Sequence, residues 1–187
     1  MKNSTKGALA AGAAAVLLLG GAGTLAYWSD SVDLPGGSVT SGELKLLNES
    51  CDADWVYAVG SASAGQTVNL VVPGDVISKE CEFEVVATGD NLSADLVVPA
   101  TATFTSVAPA APSFDATVAA TYADALGDPL PATITDANDG VITATISVTF
   151  PFGTTQDDPD PVNINDTQGV TATLDAITIS LEQNNPN

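Results

Sequence analysis

The sequence contains no histidine and no arginine, and four lysines stand against 23 Asp and Glu, for a net charge of −19. Without histidine there can be no HExxH zinc helix, no His-based zinc site and no His-dependent serine or cysteine triad. Without a cationic surface there is nothing to neutralise phosphates, which excludes nucleic acid as a partner and disfavours anionic lipid headgroups. Two cysteines, Cys51 and Cys81, are too few for a thiolate metal centre. No long stretch repeats with a helical period. Carboxylates close in sequence do occur, as at Glu80, Glu82 and Glu84. They alternate along one strand, however, so a solvated outer face describes them better than a glycosidase pair. The expectation is a protein that is not an enzyme. The excess of acid keeps a β protein soluble and discourages accidental pairing of sheet edges.

What is present begins with an export signal. Lys2 and Lys6 form a positive start, residues 8–19 run apolar, and small residues follow up to Thr24-Leu25-Ala26. Residues 1–26 therefore read as a signal peptide, a helix cleaved between Ala26 and Tyr27. An uncleaved membrane anchor is the other reading, although Gly and Ala make the stretch less apolar than an ordinary span. Either way the membrane enters only through this segment. Cleavage would leave all 23 acidic residues with Lys45 and Lys79 alone to balance them. In an exported chain the even cysteine count predicts a Cys51–Cys81 disulfide. Closing a loop of about 30 residues stabilises by roughly 3–4 kcal/mol in the chain-entropy model.

The rest reads as β structure. Strands are predicted at 43–47, 55–59, 67–72, 76–86, 92–98, 101–107, 114–122, 141–150 and 170–181. In the fourth, Ile77, Cys81, Phe83 and Val85 share one parity and the glutamates the other, so one face is buried and Cys81 points inward. The eighth alternates Ile142, Ala144, Ile146, Val148 and Phe150 with Thr and Ser. Pro73-Gly74-Asp75 signals a turn, and Asp139-Gly140 suits a tight hairpin. Apolar parity switches between Leu174 and Ile177, which predicts a bulge or break at Asp175-Ala176. Many short strands separated by turn signals make an all-β fold, a single β-sandwich or jelly roll of two antiparallel sheets. The proposed division is a signal peptide at 1–26, an N-terminal segment at 27–42, the sandwich at 43–183 and a polar tail at 184–187.

Calcium is the one cofactor the residues suggest. Asp136, Asn138 and Asp139 form one group of oxygen ligands, and Asp157, Asp158 and Asp160 another. Neither fits the twelve-residue EF-hand pattern, and a polar turn is the alternative for both.

Several motifs resemble those of the TasA/camelysin family, in particular its actinobacterial branch with alternate-type signal peptides. They are Gly23-Thr24-Leu25-Ala26-Tyr27-Trp28-Ser29-Asp30 around the cut, Ser41-Gly42-Glu43-Leu44-Lys45-Leu46, Pro73-Gly74-Asp75, and Asn165-Asp166-Thr167-Gln168-Gly169. They keep the family order and span most of the chain, whereas the cysteine pair and the near absence of lysine depart from the family pattern. The resemblance implies processing by a SipW-type signal peptidase and a jelly-roll fold. It further implies a secreted protein at the surface of a Gram-positive bacterium, polymerising with itself or with sibling matrix proteins into biofilm-matrix fibres by donor-strand exchange. In that event the assembly residues are Tyr27, Trp28, Val32 and Leu34, apolar side chains on a segment with no hairpin partner in the sequence. The alternatives for this segment are that it folds back on its own subunit or remains a loose arm. The alternative function is a monomeric adhesion or ligand-binding module.

Overall fold

The computed structural model describes residues 28–108, 114–155, 157 and 161–185. The predicted signal peptide and Tyr27 lie outside them. The chain divides into two compact units, Met1–Val39 and Thr40–Asn187. In the first, residues 28–39 form no helix or strand, and Trp28, Val32, Leu34 and Val39 are all exposed, Trp28 to 92%.

The second unit is an antiparallel β sandwich. Its strands are β1 (Glu43–Cys51), β2 (Val56–Tyr57), β3 (Val76–Thr88), β4 (Ala94–Val97), β5 (Phe104–Ala108), β6 (Thr117–Asp124), β7 (Pro129–Leu130), β8 (Thr133–Ile134), β9 (Gly140–Thr149), β10 (Thr171–Leu174) and β11 (Ser180–Gln183). One layer is a six-stranded sheet in the order β1-β3-β9-β6-β7, with β2 also paired to β3. The other layer is split in two: β11-β4-β8 and β10-β5 form separate small sheets. A single second sheet was expected. The parity switch after Leu174 breaks it, because residues 175–179 belong to no strand.

Alternation accounts for the large sheet. β3 and β9 pair from Val76 opposite Thr149 to Val85 opposite Gly140. Their inward residues are Ile77, Cys81, Phe83, Val85 and Ala87 from one strand, and Ile142, Ala144, Ile146 and Val148 from the other, all buried. Glu80 and Glu82 are exposed on the outer face. β6 adds Val118 and Tyr122, and burial pushes the Tyr122 phenol above its usual 10.0. Two core clusters result. In one, Phe83, Val85 and Ile142 pack with Leu96, Ile134 and Leu181 of the β11-β4-β8 sheet. In the other, Ile77, Ile146, Val148 and Phe150 pack with Phe104 and Leu174 of the β10-β5 sheet. Ile179 touches both clusters.

Three local expectations are corrected. Residues 67–72 form no strand. Thr67 makes a single bridge to Val56, Val68 N–H donates to the Trp55 carbonyl, and Leu70 and Val72 are exposed. The neighbouring edge of β3 is already taken by β2, and the Pro73-Gly74-Asp75 turn follows at once, with Val72 N–H bonded to the Asp75 carboxylate. Asp139-Gly140 does not close a hairpin, because β8 and β9 lie in different sheets. Instead a 3-10 turn, Asp136–Asn138, leads into β9, and Gly140 takes a positive φ of 132°. The two-residue strands β7 and β8 occupy a Pro-flanked stretch where no strand was expected.

The acidic loop before β10 is fixed by one buried side chain. Asn163 accepts from Asp115 N–H and donates to the Asp115 and Pro151 carbonyls, each at 3.0 Å. Gly153 allows the approach, since a Cβ there would sit 2.6 Å from the Asn163 carbonyl oxygen. The Asn165-x-x-Gln-Gly motif is a self-bonded turn: the Gln168 side chain donates to the Asn165 side chain at 3.1 Å, and Gly169 supplies the positive φ that launches β10.

Candidate functional site

β1 is an edge strand. It pairs with β3 and, among the described residues, with nothing else. In an antiparallel ladder alternate residues of an edge strand point their N–H and C=O groups outward, unpaired. The register slips between Leu47 and Ser50, where Asn48 takes φ 54°, so β1 carries a bulge near its end. Beyond the bulge, Cys51 lies opposite Cys81 with their Cα atoms 3.9 Å apart, and the two are joined by the expected disulfide.

Facing this edge is the strandless link 175–179. Its backbone is tethered by Asp175, whose N–H donates to the Thr103 carbonyl and whose carboxylate accepts from Thr105 at 2.7 Å. Between β1 and the link runs a groove of about 610 Å³. Leu46, Cys81, Phe83 and Ile146 line it from the large sheet, Leu174, Ile177 and Ile179 from the link and its flank. It is thus a slot lined mainly by apolar side chains, with Glu49 and Asp175 also at its lining, between two stretches of backbone, one of which is an unpaired sheet edge.

Three charged residues line this slot, Glu49, Lys79 and Asp175, and the lysine is in an unexpected place. Lys79 sits on the inward parity of β3, between Ile77 and Cys81, and is half-buried. Its ammonium donates to the Ala53 carbonyl at 3.2 Å and lies 5.9 Å from the centre of the Trp55 ring. Among the described residues no carboxylate comes within 4.0 Å of it; Lys45 with Glu43 is the one ion pair. Reading β3 from its apolar residues alone passes over Lys79. The signal was there: a lysine in the buried register of a strand, in a chain with four lysines.

A second, broader groove of about 900 Å³ lies between residues 67–73 and the approach to β10. Trp55 and the rings of Phe104, Phe114 and Phe150 line it, the three phenyl centroids 5.6–5.8 Å apart.

The other candidate residues are dispersed. Trp28, Val32 and Leu34 are exposed on the leading segment, and Ala26 and Tyr27 lie outside the described residues. Of the calcium candidates, Asn138 accepts from Thr135 N–H and Asp139 accepts from Ala87 N–H, each at 2.9 Å, so these oxygens hold the turn in place. Asp136 begins that turn and Asp157 is exposed, while Asp158 and Asp160 lie outside the described residues. Among the described residues the one tight group of metal-ligating types is Glu49, Cys51 and Cys81. Its two sulfurs are bonded to each other and so cannot act as thiolate ligands. For the turn at Asp136, Asn138 and Asp139, whose oxygens already hold the backbone, calcium or a chelator is expected to move the melting temperature by less than about 1 °C. Thermal melts check this, and a rise of several degrees with calcium would reveal a structural site.

Comparison with known proteins gives no match: no family model fits the chain, and no curated protein or solved structure is significantly similar to it.

Proposed function

We propose that this chain is a secreted structural protein, a subunit of extracellular fibres or matrix at a bacterial surface, and not an enzyme. Subunits join when the leading segment of one copy, residues 27–39, adds as a strand beside β1 of the next. The observation that carries the reading is the combination of a mainly apolar slot along an unpaired β1 edge with an exposed segment whose apolar side chains belong to no strand. A strand added there gains backbone hydrogen bonds from the edge and side-chain contacts from the slot. Donation from head to tail is a heterologous contact, which builds an open filament when the rotation between successive subunits does not close a ring. The motifs shared with the TasA/camelysin pattern support the same reading, with a SipW-type peptidase freeing the segment at Tyr27 during export. Sibling matrix proteins bearing similar leading segments would be the other partners.

The test is to collect the exported protein, with and without residues 27–35, and to compare them by size-exclusion chromatography and electron microscopy. The intact protein is expected to form filaments and the shortened one to remain monomeric. Filaments unchanged by the deletion, or none from the intact protein, would contradict the proposal. The aromatic-lined second groove favours the alternative of a monomeric ligand-binding module, and a strictly monomeric intact protein would turn attention to it.

A further inference from the structure

We propose that Lys79 receives an acidic side chain from the strand donated by a second copy of this chain, and that this side chain is Asp30. The inference rests on the strand-donation reading above and specifies its register.

The case starts from Lys79 itself. The inward positions of β3 are Ile77, Lys79, Cys81, Phe83, Val85 and Ala87, and all but Lys79 are apolar and buried. Lys79 is half-buried and its contact with the Ala53 carbonyl is exposed, so its ammonium remains accessible at the groove. An ammonium has three N–H donors. Here one carbonyl and one aromatic face hold it, and no carboxylate among the described residues reaches it, although the chain carries 23 acidic residues. The group is therefore held at the groove in a position to take an anion from outside the folded unit.

The leading segment supplies the matching pattern. In an extended strand, residues two apart face the same way. Residues 28, 30, 32 and 34 are Trp, Asp, Val and Leu, three apolar side chains and one carboxylate on one face. The opposite face carries Ser29, Ser31, Asp33 and Pro35. A largely apolar slot whose one cation is Lys79, and whose own carboxylates Glu49 and Asp175 lie more than 4.0 Å from that cation, is thus matched by an apolar strand face with one anion. Hydrophobic contacts alone would let such a strand slip by two residues with little change, since the apolar face is preserved. A charge pair across the slot disfavours registers that leave Asp30 away from Lys79, and so selects which residue lies beside Lys79.

The test is a charge exchange in the exported protein, read as the concentration at which half of it sediments as filaments. Asp30→Lys alone and Lys79→Glu alone are each expected to raise that concentration at least about tenfold. The double variant, with the charges exchanged, is expected to return to within about threefold of the parent. Lys79→Gln, which removes the charge without reversing it, is expected to fall between. Asp30→Lys lies outside the sandwich unit, so an unchanged melting temperature shows that its effect is on assembly rather than folding. A parent that forms filaments while the single variants assemble equally well, or while the double variant is no better than the singles, overturns this inference and leaves strand donation standing. A parent that forms no filaments overturns both.

Discussion

Replacing Phe150 with alanine is expected to lower the unfolding free energy by about 3–5 kcal/mol, the range for deleting a buried phenyl group from a core. Phe150 follows directly on β9 and is 3% exposed. Its ring lies 5.8 Å from both Phe104 and Phe114, which are themselves 5.6 Å apart, so one substitution removes two of the three aromatic contacts. Such pairs add about 0.5–1.5 kcal/mol each beyond area burial. The same residue's backbone closes the Pro73-Gly74-Asp75 turn: Phe150 N–H donates to the Asp75 carbonyl, and its own carbonyl accepts from Gly74 N–H. Those bonds survive the substitution, so the loss is one of packing. Phe152, two residues on, is the control. It is 82% exposed, and its alanine variant is expected to stay within about 0.5 kcal/mol of the parent. Denaturant titrations with unchanged slopes would measure both. A loss below 1 kcal/mol at Phe150 would mean that the two layers do not meet through this aromatic cluster.

Removing the disulfide is the second large perturbation. Cys51 and Cys81 are 30 residues apart in sequence, and the crosslink restricts the unfolded chain by about 3–4 kcal/mol in the chain-entropy model. For a domain of this size the melting temperature should fall by roughly 10 °C in the Cys51→Ser/Cys81→Ser variant. A thiol reductant acting on the parent should produce the same fall. The position of the bond adds a local effect. β1 loses register at its bulge and regains it at Ser50 and Cys51, so the covalent link anchors the outer end of the edge strand to β3. Without it, hydrogen exchange should speed up beyond the bulge, while residues 43–47, still laddered to β3, change less. A melting temperature that does not respond to complete reduction would show that the crosslink carries no stability.

Much of the sandwich is legible in the sequence because β9 alternates without error and β3 does so but for Lys79. Phe83 and Val85 on β3, and Ile142 to Val148 on β9 with Phe150 directly after it, declare a buried face by spacing alone, and the polar residues between them declare the opposite one. The break after Leu174 is legible for the same reason, since an apolar parity cannot switch without moving the chain between faces. Less visible are features that depend on what lies beside a segment. Residues 67–72 have the composition of a strand, but the edge they would join belongs to β2. Asp139-Gly140 has the chemistry of a hairpin, but the strands on either side of it belong to different sheets. Asn163 pins its loop through two distant backbone segments, and no local pattern foretells that. The groove belongs to this class, since it exists only because β1 ends a sheet and residues 175–179 join none. Lys79 was written plainly in the sequence, yet a pattern read for its apolar members treats one polar exception as noise.

The central claim is that the outer edge of β1 is open in the single subunit and covered by another copy after assembly. Backbone hydrogen exchange of the exported protein, measured dilute and again after concentration into its assembled form, tests it most directly. The β1 amides that point away from β3 should exchange freely in the dilute protein and become strongly protected in the assembly, together with the amides of residues 28–34. If the outward amides of β1 are already protected in the dilute single particle, or remain unprotected when the protein is fully assembled, the account is wrong.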